Sequence, residues 1–169
     1  MRKRNWVFFG GLVGVLLLGY LFFNPILVNL PESDVELPKY SYTKGQIFNP
    51  LRKYNLEDGE FAAYLILKEK INVTGMPLGR VFKTTDIALL KQMQQNMLFT
   101  YTGADLATVE NDFLLYQGNK LVFRAGVVLD ENSQGFQSPY FGWIEAKGDN
   151  ALSLYCVQFS VCFPVIVFP

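Results

Sequence analysis

The sequence predicts an α+β protein: an N-terminal transmembrane helix, then one domain with an antiparallel β-sheet packed by a single main helix. Three observations carry that expectation. An uncharged run of 18 residues, Trp6–Phe23 (WVFFGGLVGVLLLGYLFF), lies near the start of the chain. Short β-patterned segments then follow one another through tight turn signals, as antiparallel strands do. A single later stretch, after Thr85, has the apolar spacing of an amphipathic helix.

At ~1.5 Å of rise per residue the apolar run reaches about 27 Å, close to a hydrocarbon core of ~30 Å. Arg2, Lys3 and Arg4 precede it, and the first charges after it are Glu32, Asp34 and Glu36. Basic residues stay on the cytoplasmic side. Residues 1–5 are therefore expected in the cytoplasm, residues 6–23 as a signal-anchor in the inner membrane, and everything after Asn24 outside, in a bacterium in the periplasm. Cleavable signals end on small residues, whereas Tyr20-Leu21-Phe22-Phe23 is bulky, which favours an uncleaved anchor. No cysteine follows the run closely enough for a lipoprotein. Gly10 and Gly14 have the G-x-x-x-G spacing that lets membrane helices approach closely, so self-association stands beside the plainer fact that glycine is common in such helices.

Three of the 15 basic groups and none of the 15 acidic groups fall in the first 23 residues, leaving the remainder at net −3. A mildly acidic domain argues against nucleic acid as a partner, because phosphate binding needs a basic face. The chain has no histidine. That removes the commonest general base, the usual metal ligand and any Ser-His or Cys-His nucleophile pair. No catalytic residue, metal ligand or cofactor is assigned.

Residues 24–50 read as a tether. Four of the eight prolines (Pro25, Pro31, Pro38, Pro50) lie here, and proline denies helices and sheets their backbone donors. At ~3.1 Å per residue such a spacer would hold a domain several nanometres from the membrane. Tyr40, Tyr42, Ile47 and Phe48 are apolar enough to pack along the domain instead.

The exported domain is placed at 51–169. Asp58-Gly59 is a turn signal, and a strand is expected within 61–74. Gly75-Met76-Pro77-Leu78-Gly79 turns the chain and Arg80–Lys83 returns as a short strand. Thr85 is the expected N-cap of the main helix, with Ile87, Leu90, Met93, Met97 and Leu98 on its apolar face and Lys91, Gln92, Gln94 and Gln95 opposite. Gly103 ends that helical stretch. Phe113–Tyr116 and Leu121–Phe123 form a hairpin about Gln117-Gly118-Asn119-Lys120, its second arm running to Leu129 with Gly126 as a bulge. Tyr140–Ile144 and Ser153–Val161 form a second hairpin about Lys147–Asn150.

Four constellations merit attention. Phe136, Tyr140, Phe141 and Trp143 cluster beside a Gln134-Gly135 loop; aromatics at loop tips make good anchors for partners, and core packing explains them too. Alternation sends Tyr140 and Gly142 to one face, Phe141 and Trp143 to the other. Cys156 and Cys162 are the only cysteines, in a compartment that permits a disulfide. On one strand they would stand roughly 20 Å apart, so bridging requires a reversal within 157–161; the alternative is two buried thiols. The apolar tail Cys162–Pro169 is too short for a second span and reads as a terminal strand on the sheet, or as an edge open to a partner. Glu57, Asp58 and Glu60 gather carboxylates, as do Asp130 and Glu131; paired acids hydrolyse glycosidic bonds only when they face one another across a cleft. Asn72-Val73-Thr74 also matches a glycosylation acceptor, relevant in a eukaryote.

These readings add up to a membrane-anchored, non-catalytic domain that holds a protein partner, as an envelope-complex subunit or an inhibitor or immunity-type protein. The runner-up is an envelope hydrolase working through carboxylates.

Overall fold

A computed structural model of the chain describes residues 2–27, 42–69, 71, 73–104, 109, 111–131, 133–148, 151–163 and 166–167; at 2–9, 22, 27, 151 and 167 the backbone alone is described. Pro31, Pro38, Asn72, Asp149 and Asn150 lie outside these residues, so the middle of the expected tether, the glycosylation sequence and part of the 147–150 turn do as well. The elements in order are α1 (Arg2–Phe23), β1 (Ile26–Leu27), β2 (Ile47–Phe48), a 3-10 turn (Pro50–Lys53), β3 (Phe61–Ile66), β4 (Val81–Thr84), α2 (Ile87–Asn96), β5 (Phe99–Tyr101), β6 (Asp112–Gln117), β7 (Lys120–Leu129), β8 (Gln134–Ser138), β9 (Gly142–Ala146), α3 (Ala151–Cys156), β10 (Ser160–Cys162) and β11 (Ile166–Val167).

Nine strands form one sheet in the order β10-β4-β3-β6-β7-β8-β9-β5-β2. Every pair in it is antiparallel. The architecture is thus a large antiparallel sheet with helices, α+β as the sequence predicts. Alternation along the strands sends Phe61, Ala63, Leu65, Phe113, Leu115, Phe123, Ala125 and Val127 to a single core, with α2 contributing Leu89, Leu90 and Met93 and α3 contributing Leu152 and Cys156. Phenylalanine dominates its centre. The Phe136 ring lies 5.1 Å from Phe99, 5.1 Å from Phe113 and 5.8 Å from Phe123, centroid to centroid, within the range where tilted aromatic pairs attract.

The main helix begins one residue later than expected. Asp86 is the N-cap, accepting from the amides of Ala88 and Leu89 at 2.8 and 3.2 Å, while Thr84 Oγ1 accepts from the Asp86 amide. Gln94 does not face solvent: its Nε2 donates to the carbonyls of Leu51 and Tyr54 at 2.8 and 2.7 Å. Asn49 completes this joint. Its Oδ1 accepts from the Leu51 amide, and its Nδ2 donates to the carbonyls of Met93, Gln94 and Met97. The Met93 carbonyl also accepts from the Met97 amide at the C-cap, whereas those of Gln94 and Met97 lie beyond that last bond of the helix. The end of the expected tether is therefore part of the body: Ile47–Phe48 is an edge strand paired with Phe99 and Thr100, and Tyr42 stacks on Phe48 at 4.1 Å.

Two further corrections concern the C-terminal half. The second hairpin is β8–β9, turning at 139–141, and Ser153–Cys156 is helical rather than extended. Leu152, Cys156 and Phe159 are all fully buried at a spacing of i, i+4, i+7, the period of a helix. Gln134 fixes α3 by accepting the Ser153 amide and donating to its Oγ. Gly126 is not a bulge; the register shift falls between Leu115 and Tyr116. A Cβ at Gly126 would meet Val109 at 2.8 Å, so close approach of a neighbouring side chain explains that glycine.

The outermost finding concerns the tether. Ile26 and Leu27 pair in parallel with Ile166 and Val167, and the Phe23 and Phe163 rings meet edge to face at 5.7 Å. The body is thus tied back to the end of α1 within a few residues of the sheet.

Candidate binding groove

The sheet's outer face opposes the Phe-rich core. Strand register orders its side chains in rows. Cys162, Val81 and Ile66 stand side by side across β10, β4 and β3; the next row holds Lys83, Tyr64 and Leu114; the next brings Ala62 beside Tyr116. Ile66, Val81 and Leu114 form a small second cluster, with Tyr64, Tyr116, Leu121 and Cys162 packed against it. Over these rows lies a groove of about 650 Å³. Ile166 of β11 lines it along with Ile66, Val81 and Cys162, and Glu60, Thr85, Gly118 and Asn119 line the opposite reach. Its volume falls within the ~300–1,000 Å³ of ordinary ligand sites.

Aromatic rings wall its middle. Tyr64 and Tyr116 meet edge to face at 5.6 Å, and Lys83 Nζ sits 5.3 Å from the centre of the Tyr64 ring. Lys83 has no carboxylate within ion-pair distance among the described residues. Burial pushes the Tyr116 hydroxyl above its ordinary value, the neighbouring Tyr64 adds to this and Arg124 opposes it. Tyr116 therefore remains a protonated hydrogen-bond donor at neutral pH. At one flank the half-buried pair Lys68 and Arg124 brackets Asp112, with Lys68 Nζ 2.9 Å from Oδ2 and Arg124 3.5 Å from Oδ1. The Lys68 contact is a charge pair without hydrogen-bond alignment, since Oδ2 accepts no directed bond.

The aromatic residues expected as a binding patch do not gather on the surface. Phe136 and Phe141 belong to the core, Phe141 stacked on Phe123 at 6.3 Å. Trp143 is buried on the other side of its strand from Ile144, against Gly135, where an added Cβ would meet the indole at 2.6 Å and the Ile144 carbonyl at 2.1 Å. Phe141 and Trp143 thus part company because Phe141 sits in the turn before β9, where alternation does not apply. Tyr140 alone of the four is half-buried, and it lines a smaller cavity of about 150 Å³ with Phe141, Tyr42, Phe48 and Lys53. Burial lowers the Lys53 ammonium below its usual value.

Both cysteines are free. Cys156 lies in the main core and Cys162 packs on the outer cluster, so the sheet stands between the surroundings of the two thiols. Burial pushes the Cys156 thiol up to about 12. Among the carboxylates, Glu57 pairs with Lys91, Asp112 with Lys68 and Arg124, and Glu60 lies at the end of the groove. No group of three or more histidine, cysteine or acidic side chains assembles a metal site among the described residues. What the groove offers chemically is an apolar floor, two aromatic edges, a phenolic donor and one cation. That is equipment for holding a ligand.

The sequence reading missed the groove, although its signal was there: Tyr64 and Ile66, like Leu114 and Tyr116, alternate with core residues at period two. No known protein family, no curated protein and no solved structure matches the chain.

Proposed function

We propose that the chain is a single-pass membrane protein with its N-terminus in the cytoplasm, presenting a non-catalytic body on the far side whose outer groove holds an apolar segment of a protein partner. In a bacterium that body stands in the periplasm, as an envelope-complex subunit or an inhibitor or immunity-type protein. Support for the anchor begins with sequence: Trp6–Phe23 carries no charge, and the α1 backbone is helical from Arg2 to Phe23, about 33 Å at ~1.5 Å per residue. No helix among the described residues is long and apolar enough to cross a membrane; the side chains described in α1 are those of Gly10–Leu21 and Phe23. Along that stretch Leu12, Val13, Val15, Leu16, Leu17 and Leu18 are all exposed. A helix apolar on every side and uncovered by its own body needs a solvent other than water. Gly10 and Gly14 have open space where a Cβ would stand, consistent with self-association through that pair.

The observation that carries the binding reading is the groove itself, with buried Ile66, Val81 and Leu114 as its floor and Tyr64, Tyr116 and Lys83 as its walls. Sites of this composition gain affinity from apolar burial and orientation from a few polar groups. A photoreactive amino acid at Tyr116 of the full-length protein in native membranes should yield one dominant protein adduct. Ala62→Trp, which fills the groove, should abolish that adduct while the protein stays folded. Recovery of no protein adduct, or of the same adduct from the filled variant, would overturn the reading.

A further inference from the structure

We propose that the paired strands β1 and β11, with Phe23 and Phe163, form a foot that seats the body directly in the headgroup layer of the bilayer. The inference rests on α1 being the anchor. The four large apolar side chains concerned are Phe23, Ile26, Phe163 and Ile166, and each is about half exposed, at 55 %, 49 %, 47 % and 48 %. They come from two distant parts of the chain and are brought together by the parallel pairing Ile26↔Ile166 and by the Phe23–Phe163 edge contact. Isolated exposed apolar residues need no explanation, but a contiguous set marks an interaction surface.

Position identifies what covers it. The foot is continuous with the end of α1, whose last turn is closed by Asn24: its amide and its Nδ2 both donate to the Tyr20 carbonyl. Ile26 follows Phe23 by three residues, no more than about 10 Å of extended chain, so it begins where hydrocarbon gives way to headgroups. The neighbouring sequence carries no charge: none from Phe23 to Pro31, and none from Val157 to Pro169. A foot lying in water would gain from charged residues at its margin, whereas one lying among acyl chains and headgroups favours their absence. The same geometry places the Ile166 end of the groove nearest the lipid, because Ile166 contributes both to the foot and to the groove wall. A partner would therefore be met at the membrane surface.

The test uses the full-length protein in phospholipid nanodiscs, with a photoreactive diazirine amino acid placed in turn at Leu16, Phe163, Ile166 and Asn119. The expected result is lipid adducts at Phe163 and Ile166 in yields comparable with Leu16, and loss of lipid adducts at Asn119 in the exposed β6–β7 turn. Ile166→Asp should remove the adduct at Phe163 and leave that at Leu16. Lipid adducts at Leu16 alone would overturn the foot while sparing the anchor. Absence of lipid adducts at Leu16 would remove the anchor and the foot together. Protein adducts at Phe163, to a second copy of the chain, in place of lipid adducts would also overturn it.

Discussion

The two faces of the nine-stranded sheet are built from the same strands and differ in how they are covered. On the inner face, seven phenylalanines among the described residues (Phe61, Phe82, Phe99, Phe113, Phe123, Phe136, Phe159) are buried almost completely, and two helices close over them. On the outer face, among the described residues, Ile66, Val81 and Leu114 are buried as a cluster; the tyrosines and Lys83 around them stay partly open above a groove. Adjacent residues on one strand thus face opposite demands. Leu65 is needed for folding, while Tyr64 is available to a ligand. Under the proposed function, stability and binding separate by strand parity, and substitutions should separate the same way.

The largest effect is expected inside. Phe113→Ala removes a ring touched by Phe123, Phe136 and Phe159 and should cost about 3–5 kcal/mol in equilibrium urea unfolding. Next comes the joint between the 3-10 turn and α2. Asn49→Ala takes the side-chain donor from the Met97 carbonyl at the buried helix end and should cost about 1–3 kcal/mol by the same measurement.

A pH titration probes the inner face in another way. The Cys156 thiol is held protonated by burial, so the folded state keeps its proton where the unfolded chain loses it. The sign follows: the contribution is complete below the ordinary thiol value of 9.0 and is lost as pH climbs from there toward about 12. Unfolding midpoints of the native chain should fall more steeply across that window than those of Cys156→Ala. Identical slopes would mean that the thiol is not buried as described.

The smallest effect on stability is expected outside. Lys83→Ala should change unfolding by no more than about 0.5 kcal/mol, yet reduce the adduct formed at Tyr116. If Lys83→Ala destabilised as much as Phe113→Ala, the contrast between the faces would collapse.

Much of this fold could be read from the residues in order. The β6–β7 hairpin declared itself through alternation on either side of Gly118-Asn119, and α2 through its apolar stripe, misplaced by one residue because Thr85 and Asp86 are both competent caps. The helix α3 was hidden by its length. Six residues hold fewer than two turns, and Ser153-Leu154-Tyr155-Cys156 alternates as convincingly as a strand does; Phe159 reveals the helical period only once its burial is known. The groove was less legible still. Its walls come from β3, β4, β6, β10 and β11, and only strand register brings Lys83 beside Tyr64 or Cys162 beside Val81. The pairing of Ile26 with Ile166 was hidden for a similar reason: proline content describes the backbone locally, and nothing local announces a partner near the other end of the chain.

The proposed function sets the body on the far side of a membrane anchored through α1, and thiol accessibility tests that proposal most directly. Lys120→Cys puts a reactive group in the exposed β6–β7 turn, and spheroplasts of a bacterial host expressing the full-length variant can be treated with a membrane-impermeant maleimide, the unsubstituted chain serving as the background. Labelling at residue 120 in intact spheroplasts, equal to that after lysis, is the result expected. Labelling that appears only after lysis would contradict it.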